Sequence, residues 1–165
     1  MTPWANGLGT TAVIAREPDA DEWAWRLSIA DVSTDGPFSA LAGIDRWIAV
    51  ASGVGMVLTV DGVEHVLTPE SGAFAFDGGA VTTCRLLDGP IHDLNLMLRR
   101  GAATGSMDIA TLGNTPVELT ASAVVVLDGT LHLAGDALDP GDAHLAPSGP
   151  ATGPARIALI RTAPP

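Results

Sequence analysis

The chain has no tyrosine and no lysine, and all 8 of its basic residues are arginines. Against 19 acidic residues this leaves a formal net charge of −11. Phosphate backbones recruit basic surfaces, so no nucleic-acid partner is expected. The acidic exterior does not exclude an anionic small ligand, because a few arginines inside a pocket set the local sign. A single cysteine, Cys84, rules out an internal disulfide. It sits in the apolar stretch "VTTCRLL", where a thiol is ordinarily an inert core residue. No apolar run approaches a membrane span and no basic-then-apolar leader opens the chain, so a cytoplasmic protein without a membrane partner is expected.

Chemistry-bearing motifs are scarce as well. The four histidines, His65, His92, His132 and His144, form no H-x-H or H-x3-H pair with a carboxylate at ligand spacing. "LDPGDAHLAPSG" has a P-G-D turn of the kind metal-binding barrels use, but paired histidines are missing upstream of it, so no metal and no cofactor are expected. There is no G-x-S-x-G nucleophile elbow. The opening "PWANGLGTT" is not a dinucleotide fingerprint. Gly7 and Gly9 are followed by Thr10, Thr11 and Ala12 with no third glycine, and no strand precedes them.

What is present is the pattern of a turn-rich β protein. In 165 residues there are 19 glycines and 12 prolines, and no segment shows convincing helical amphipathicity. "TTAVIARE" alternates as a strand. In "EWAWRLSIADV", Trp23, Trp25, Leu27 and Ile29 share one face and are assigned to the core. Ala24, Arg26, Ser28 and Ala30 share the other, which suits a wetted groove or barrel lumen. "STDGPFSALAGID" reads as a loop. "RWIAVASG", "GMVLTVDGVEHVLT", "GAFAFDGG" and "VTTCRLLDGP" read as strands, with Asp61-Gly62 as a hairpin turn.

The strand "IHDLNLMLRRG" carries the most information. Leu94, Leu96 and Leu98 form a core face, so Asp93, Asn95 and Arg99 point together to the opposite side. Beyond Gly101 the pattern recurs in smaller form, through "SMDIATL", "VELTAS", "AVVVLDGTLHLAGDAL" and "ARIALIRT". Asp128-Gly129 is read as a second hairpin turn matching Asp61-Gly62, and "PATGPARI" as largely loop. Matching layouts of this kind suggest a doubled β-barrel or jelly roll. Two lobes are expected, 1–101 and 102–165, packed as one compact unit with the break near Gly101–Gly105.

Because cations are few, their placement carries weight. Arg26 lies on the small-residue face of its strand, Arg46 follows Asp45 at a strand start, and Arg99 lies with Asn95 and Asp93. A planar guanidinium suits a carboxylate bidentately. Asn6, Thr10 or Thr11, and Ser28 supply neutral hydrogen bonds to the rest of a small polar ligand. The alternative is that these arginines pair with structural aspartates such as Asp45, Asp77 or Asp93.

Taken in order, "PWANGLGTT", "WRLSIADVSTDGPFSALAGIDRWIAVASGVGM", "FAFDGG", "CRLLDGPIHDLNLMLRRG" and "GTLHLAGDALDPGDA" resemble the HutD/Ves family. The match is close over residues 3–101 and looser to the end. It implies a metal-free, all-β, two-lobed cupin-type (jelly-roll) barrel with little helix and an ordered N-terminal segment, Trp4 buried against it. It also implies a non-catalytic role, binding a formylglutamate- or urocanate-like metabolite and limiting histidine utilisation. An isomerase or lyase acting on a small organic acid is the alternative. Asn6 and a threonine of "PWANGLGTT" would then face the pocket, although Ala5 stands where the family usually carries a basic residue. The expected ligand-binding set is Asn6, Thr10, Arg26, Ser28, Asp93, Asn95 and Arg99, around a small anionic metabolite. Edge strands of such barrels are where a homodimer would pair.

Overall fold

The structure is a computed structural model, and it describes residues 2–3 and 9–165. The described residues contain no helix, and none is therefore long and apolar enough to cross a membrane. The chain divides into two compact units, one of residues 1–104 with Pro164–Pro165, the other Gly105–Ala163.

The first unit carries β1 (Thr2–Pro3), β2 (Gly9–Glu17), β3 (Trp25–Val32), β4 (Gly36–Pro37), β5 (Ile44–Ser52), β6 (Met56–Val60), β7 (Val63–Leu67), β8 (Phe74–Asp77), β9 (Thr82–Leu86) and β10 (Ile91–Arg99). They form a six-stranded sheet, β1-β2-β3-β10-β5-β8, and a four-stranded sheet, β4-β9-β6-β7. The second unit begins with β11 (Thr104–Leu112) and continues with β12 (Val117–Thr120), β13 (Ala123–Gly129), β14 (Leu131–Leu133), β15 (Asp136–Leu138), β16 (Ala143–Leu145), β17 (Ser148–Thr152) and β18 (Ala155–Ala163). Its sheets run β11-β18-β13-β16 and β12-β17-β14-β15. The eight strands from β3 to β10 and the eight from β11 to β18 are therefore wired identically. Each unit is a jelly roll, and the chain carries the roll twice.

The repeat is real, but the sequence reading set it one turn out of register. Asp128-Gly129 is not a hairpin turn, because β13 pairs with β16 and β18 while β14 pairs with β15 and β17. The turn equivalent to Asp61-Gly62 is Ala134-Gly135, and both are left-handed pairs, with φ of 47° and 83° against 54° and 92°. Gly129 instead marks the corner where the chain leaves one sheet for the other, and Gly53 is its counterpart. A Cβ on Gly129 would meet the Pro154 carbonyl oxygen at 1.9 Å, and one on Gly53 would meet that of Pro90 at 2.6 Å. Each proline immediately precedes the closing strand of its unit. The segment "PATGPARI" is likewise not loop. Ser148–Thr152 is a strand lying between β12 and β14, disguised by a proline and flanking glycines.

The core of the first unit gathers Ala30, Val32, Ile48, Val50, Met56, Leu58, Leu67, Cys84 and Ile91, with Phe38, Phe74 and Phe76 against it. The inward face of β3 is thus the even-numbered one. Leu27 on the other face is fully buried, whereas Trp25 and Ile29 are only half-buried. On β10 both faces are buried. Leu94 and Leu96 are inaccessible, and so is Asp93. A strand covered on both sides can keep a polar face only if that face is satisfied or lines a cavity.

Candidate functional site

Alternation along three neighbouring strands builds the site. In β3, β10 and β5 the residues facing one another are Ala30, Asp93 and Val50, then Ser28, Asn95 and Ile48, then Arg26, Met97 and Arg46. Directly opposed residues of antiparallel strands project to the same side. The floor of this interior is apolar, with Ile91 and Val32, and the rungs above it are polar. Phe38, Ser39 and Leu41 join from the segment after β4. Together with Thr11 and Pro37 they enclose a cavity of about 300 Å³ lined by Arg26, Ser28, Ala30, Arg46, Asp93, Asn95 and Met97. That is the small end of the range for ligand pockets.

Within the cavity the polar groups form a directed chain. Arg46 donates from Nη2 to Asn95 Oδ1 at 2.6 Å. A guanidinium has donors only, so this bond fixes the Asn95 amide, whose Nδ2 then donates to Asp93 Oδ1. The Arg46 guanidinium lies over two rings, 5.3 Å from the centroid of Phe38 and 5.0 Å from that of Phe76. Arg26 donates to the Met97 sulfur at 3.2 Å and lies 5.2 Å over Trp23. Neither Arg26 nor Arg46 forms an ion pair with a carboxylate among the described residues. Three buried side-chain atoms here are without a hydrogen-bond partner: Arg26 Nε, Arg46 Nε and Asp93 Oδ2.

Burial controls the charges. It pushes the Asp93 carboxyl up to about 7, against the opposing pull of Arg46 and of the Asn95 hydrogen bond. It brings Arg46 down to about 10, partly restored by Asp93 and lowered further by Arg26. Arg26 is lowered too, by burial first and then by Arg16. At neutral pH both guanidiniums are charged and Asp93 is divided between its two forms. The interior therefore carries an excess of positive charge inside an acidic protein. Cys84 is buried beneath it, its thiol pushed up to about 12 by burial and then by Asp93 and Asp35, and so is unreactive.

Of the residues expected from sequence, Arg26, Ser28, Asp93 and Asn95 line this cavity. Thr10 does not, and Thr11 takes that place. Thr11 opposes Ala30 on the inward side of the sheet, while Thr10 opposes Asp31 on the outward side. Arg99 also lies elsewhere. It ends its strand exposed, donating to the Trp23 carbonyl at 2.9 Å and lying 5.4 Å over the Trp23 ring. Asn6 and Trp4 lie outside the described residues. Arg46 is the main residue that sequence reasoning left out of the set. Its signal was an arginine in phase with the apolar residues Ile48 and Val50. Arg100, not Arg46, takes the structural aspartates, reaching Asp45 at 2.6 Å and Asp77 at 3.0 Å. Among the described residues no group of three His, Cys, Asp or Glu side chains could hold a metal ion.

The sequence profile of the HutD family matches residues 1–153. The chain belongs to the HutD/Ves family. Protein Ves of Citrobacter koseri is 33% identical over 138 residues, covering 82% of this chain and 71% of that protein. A 21.2 kDa Pseudomonas putida protein from the hutC 3′ region is 45% identical over 97 residues; the match takes in 58% of this chain and about half, 51%, of that relative. Among solved structures, HutD of Pseudomonas fluorescens SBW25 (formate condition) superposes with a TM-score of 0.80 at 34% identity, over 98% of this chain and 93% of that one. The conserved protein PA5104 of Pseudomonas aeruginosa PAO1 gives 0.80 at 34% identity, over 97% and 92%. More distant cupin barrels, such as one from Leptotrichia buccalis at 13% identity and a TM-score of 0.61, share the fold alone. This HutD-type chain thus has the barrel of its relatives, with a polar-lined cavity in its first unit.

Proposed function

We propose that this chain is a non-catalytic binder of a small carboxylate-bearing metabolite, formylglutamate- or urocanate-like, and that through this binding it modulates histidine catabolism. The observation that carries the reading is the pair of guanidiniums, Arg26 and Arg46, facing one small cavity with unpartnered Nε atoms, outnumbering its single carboxyl, Asp93, and forming no ion pair among the described residues. Cations that are buried, like Arg46, or half-buried, like Arg26, are costly without an anion, and a ligand carboxylate removes that cost. The cavity volume suits a metabolite and not a polymer. The hutC-region origin of the P. putida relative supports the metabolic context.

Calorimetric titration with formylglutamate, urocanate and glutamate tests the proposal. At least one acid should bind, and Arg26→Ala should abolish that binding while the protein stays folded. Loss of a charge-assisted pair costs about 2–5 kcal/mol, enough to remove a micromolar complex. If no acid binds the wild type and Arg26→Ala unfolds it, Arg26 is purely structural and the proposal fails.

One observation favours a second reading. Asp93 is a fully buried carboxyl at the cavity whose pKa of about 7 suits proton transfer. An isomerase or lyase would consume the bound acid, so prolonged incubation followed by NMR separates the two. Under the binding reading the acid is recovered unchanged.

A further inference from the structure

Resting on the carboxylate-binding reading, the geometry points to a second recognition element: Asp93 Oδ2 accepts a hydrogen bond from an N–H group of the ligand, so the ligand is an acid that also carries an N–H donor. The two ends of the cavity differ in kind. Arg26 and Arg46 belong to the upper rung, beside Met97, and can only donate. Asp93 sits four residues further along β10, next to the apolar floor made by Ile91, and the Arg46 side chain reaches toward it as far as Asn95. A ligand must therefore offer acceptors at one end. What it offers at the other is decided by Asp93.

The hydrogen-bond chain settles the polarity of one Asp93 oxygen, and ionisation of Asp93, which the neighbouring Arg46 favours, settles that of the other. Arg46 fixes the Asn95 amide, Asn95 Nδ2 donates to Asp93 Oδ1, and Oδ1 is thereby an acceptor. The remaining oxygen, Oδ2, is buried without a partner. Opposite Asp93 in its two ladders stand Ala30 and Val50, which bring no polar side chain, and the Arg46 Nη2 group donates to Asn95 and not to Oδ2. With Asp93 ionised, the lining holds two guanidiniums and one carboxylate. A ligand with a carboxylate at the arginines and an N–H at Asp93 then gives the guanidiniums an anion and the orphaned oxygen a donor. An ester or ether oxygen at the same point would face the carboxylate lone pairs and be rejected. Sites built to hydrogen-bond a polar ligand group discriminate strongly against analogues lacking it.

The test uses two probes of the same shape and charge, N-acetylglutamate and its ester isostere 2-acetoxyglutarate, titrated at pH 8.5, where Asp93 is ionised, into the wild type and into Asp93→Asn. The amide should bind the wild type at least tenfold more tightly than the ester. In Asp93→Asn the oxygen of the new amide must accept from Asn95, so its NH2 faces the ligand. The preference should then fall to within about twofold or reverse, with the ester still bound and the melting transition intact, because a donor meeting a donor forfeits the bond. Equal affinities in the wild type, or an undiminished preference in Asp93→Asn, would overturn the assignment of Asp93 while leaving the carboxylate site standing. Binding of neither probe to the wild type would bring down the carboxylate site itself, and this inference with it.

Discussion

The two units solve the same folding problem with different interiors. β10 presents Ile91, Asp93 and Asn95 inward, and its counterpart β18 presents Ala155, Ile157 and Leu159. The equivalence follows from the ladders. Each closing strand slips by one residue at the same place, between His92 and Asp93 in one unit and opposite Leu127 in the other. On the neighbouring strand Ile48 and Val50 answer to Val124 and Val126, and Arg46 answers to Ser122. The second unit shows that this jelly roll closes well on aliphatic side chains. The fold therefore does not require Asp93, Asn95 or Arg46. Burying them is unfavourable, and of the four orphaned buried polar atoms among the described residues three belong to this cavity. An unfavourable arrangement confined to one of two equivalent barrels is the mark of a site.

The most severe way to break the comparison is to erase it. Arg46→Met with Asn95→Leu and Asp93→Ile gives the first unit an interior like the second. Acid binding should vanish, while stability holds or rises, since replacing a buried ionic group by apolar residues is often neutral or stabilising by about 1–4 kcal/mol. Removing one member alone should do the opposite. Asn95→Leu leaves both Arg46 and Asp93 unsatisfied, and a urea-unfolding loss of about 3–5 kcal/mol is expected, as for other broken buried ion networks.

The pH dependence is next in size. The folded state holds Asp93 with a pKa of about 7 against an unfolded value of 3.8. Between those values the folded protein keeps a proton that the unfolded chain has released. The stabilisation from Asp93 is thus complete below about pH 4, declines as pH rises, and is gone above about pH 7, a total of at most about 4 kcal/mol. Melting temperatures of the wild type relative to Asp93→Asn, followed from pH 4 to pH 8, should fall along that course. A flat difference would contradict it.

Smaller effects sharpen the equivalence of the two corners. Gly53→Ala and Gly129→Ala each set a Cβ against a backbone carbonyl and should lose more stability than Gly62→Ala and Gly135→Ala, whose Cβ atoms would enter open space. The latter pair carries only the strain of a left-handed residue, about 1–2 kcal/mol. Smallest of all, Arg99→Ala should leave acid affinity within about twofold, since Arg99 is spent on Trp23 outside the cavity.

Much of this was legible in the sequence because alternation is a strong signal. It gave the strands, the doubled barrel, and the shared face of Arg26 with Ser28 and of Asp93 with Asn95. It failed where a residue type has two uses. An Asp-Gly pair makes a hairpin at Asp61-Gly62, yet Gly129 turns a corner between sheets, and only strand pairing distinguishes them. Parity between Thr10 and Thr11 depends on which face of β2 turns inward, and both faces of that strand are weakly patterned. Arg99 kept the parity of Asn95 but stands at the strand end, where a long side chain is free to fold back on an aromatic ring. Arg46 was hidden by its neighbour Asp45, which suggested a local ion pair. In the fold those two point to opposite faces.

The central claim is that the orphaned groups of the first unit await an acid. A crystal structure of the protein with saturating N-acetylglutamate tests it most directly. The account predicts a carboxylate within hydrogen-bond distance, about 3 Å, of Nε of both Arg26 and Arg46, and the amide N–H on Asp93 Oδ2. An empty cavity at saturation, or the acid bound only elsewhere on the protein, would contradict it.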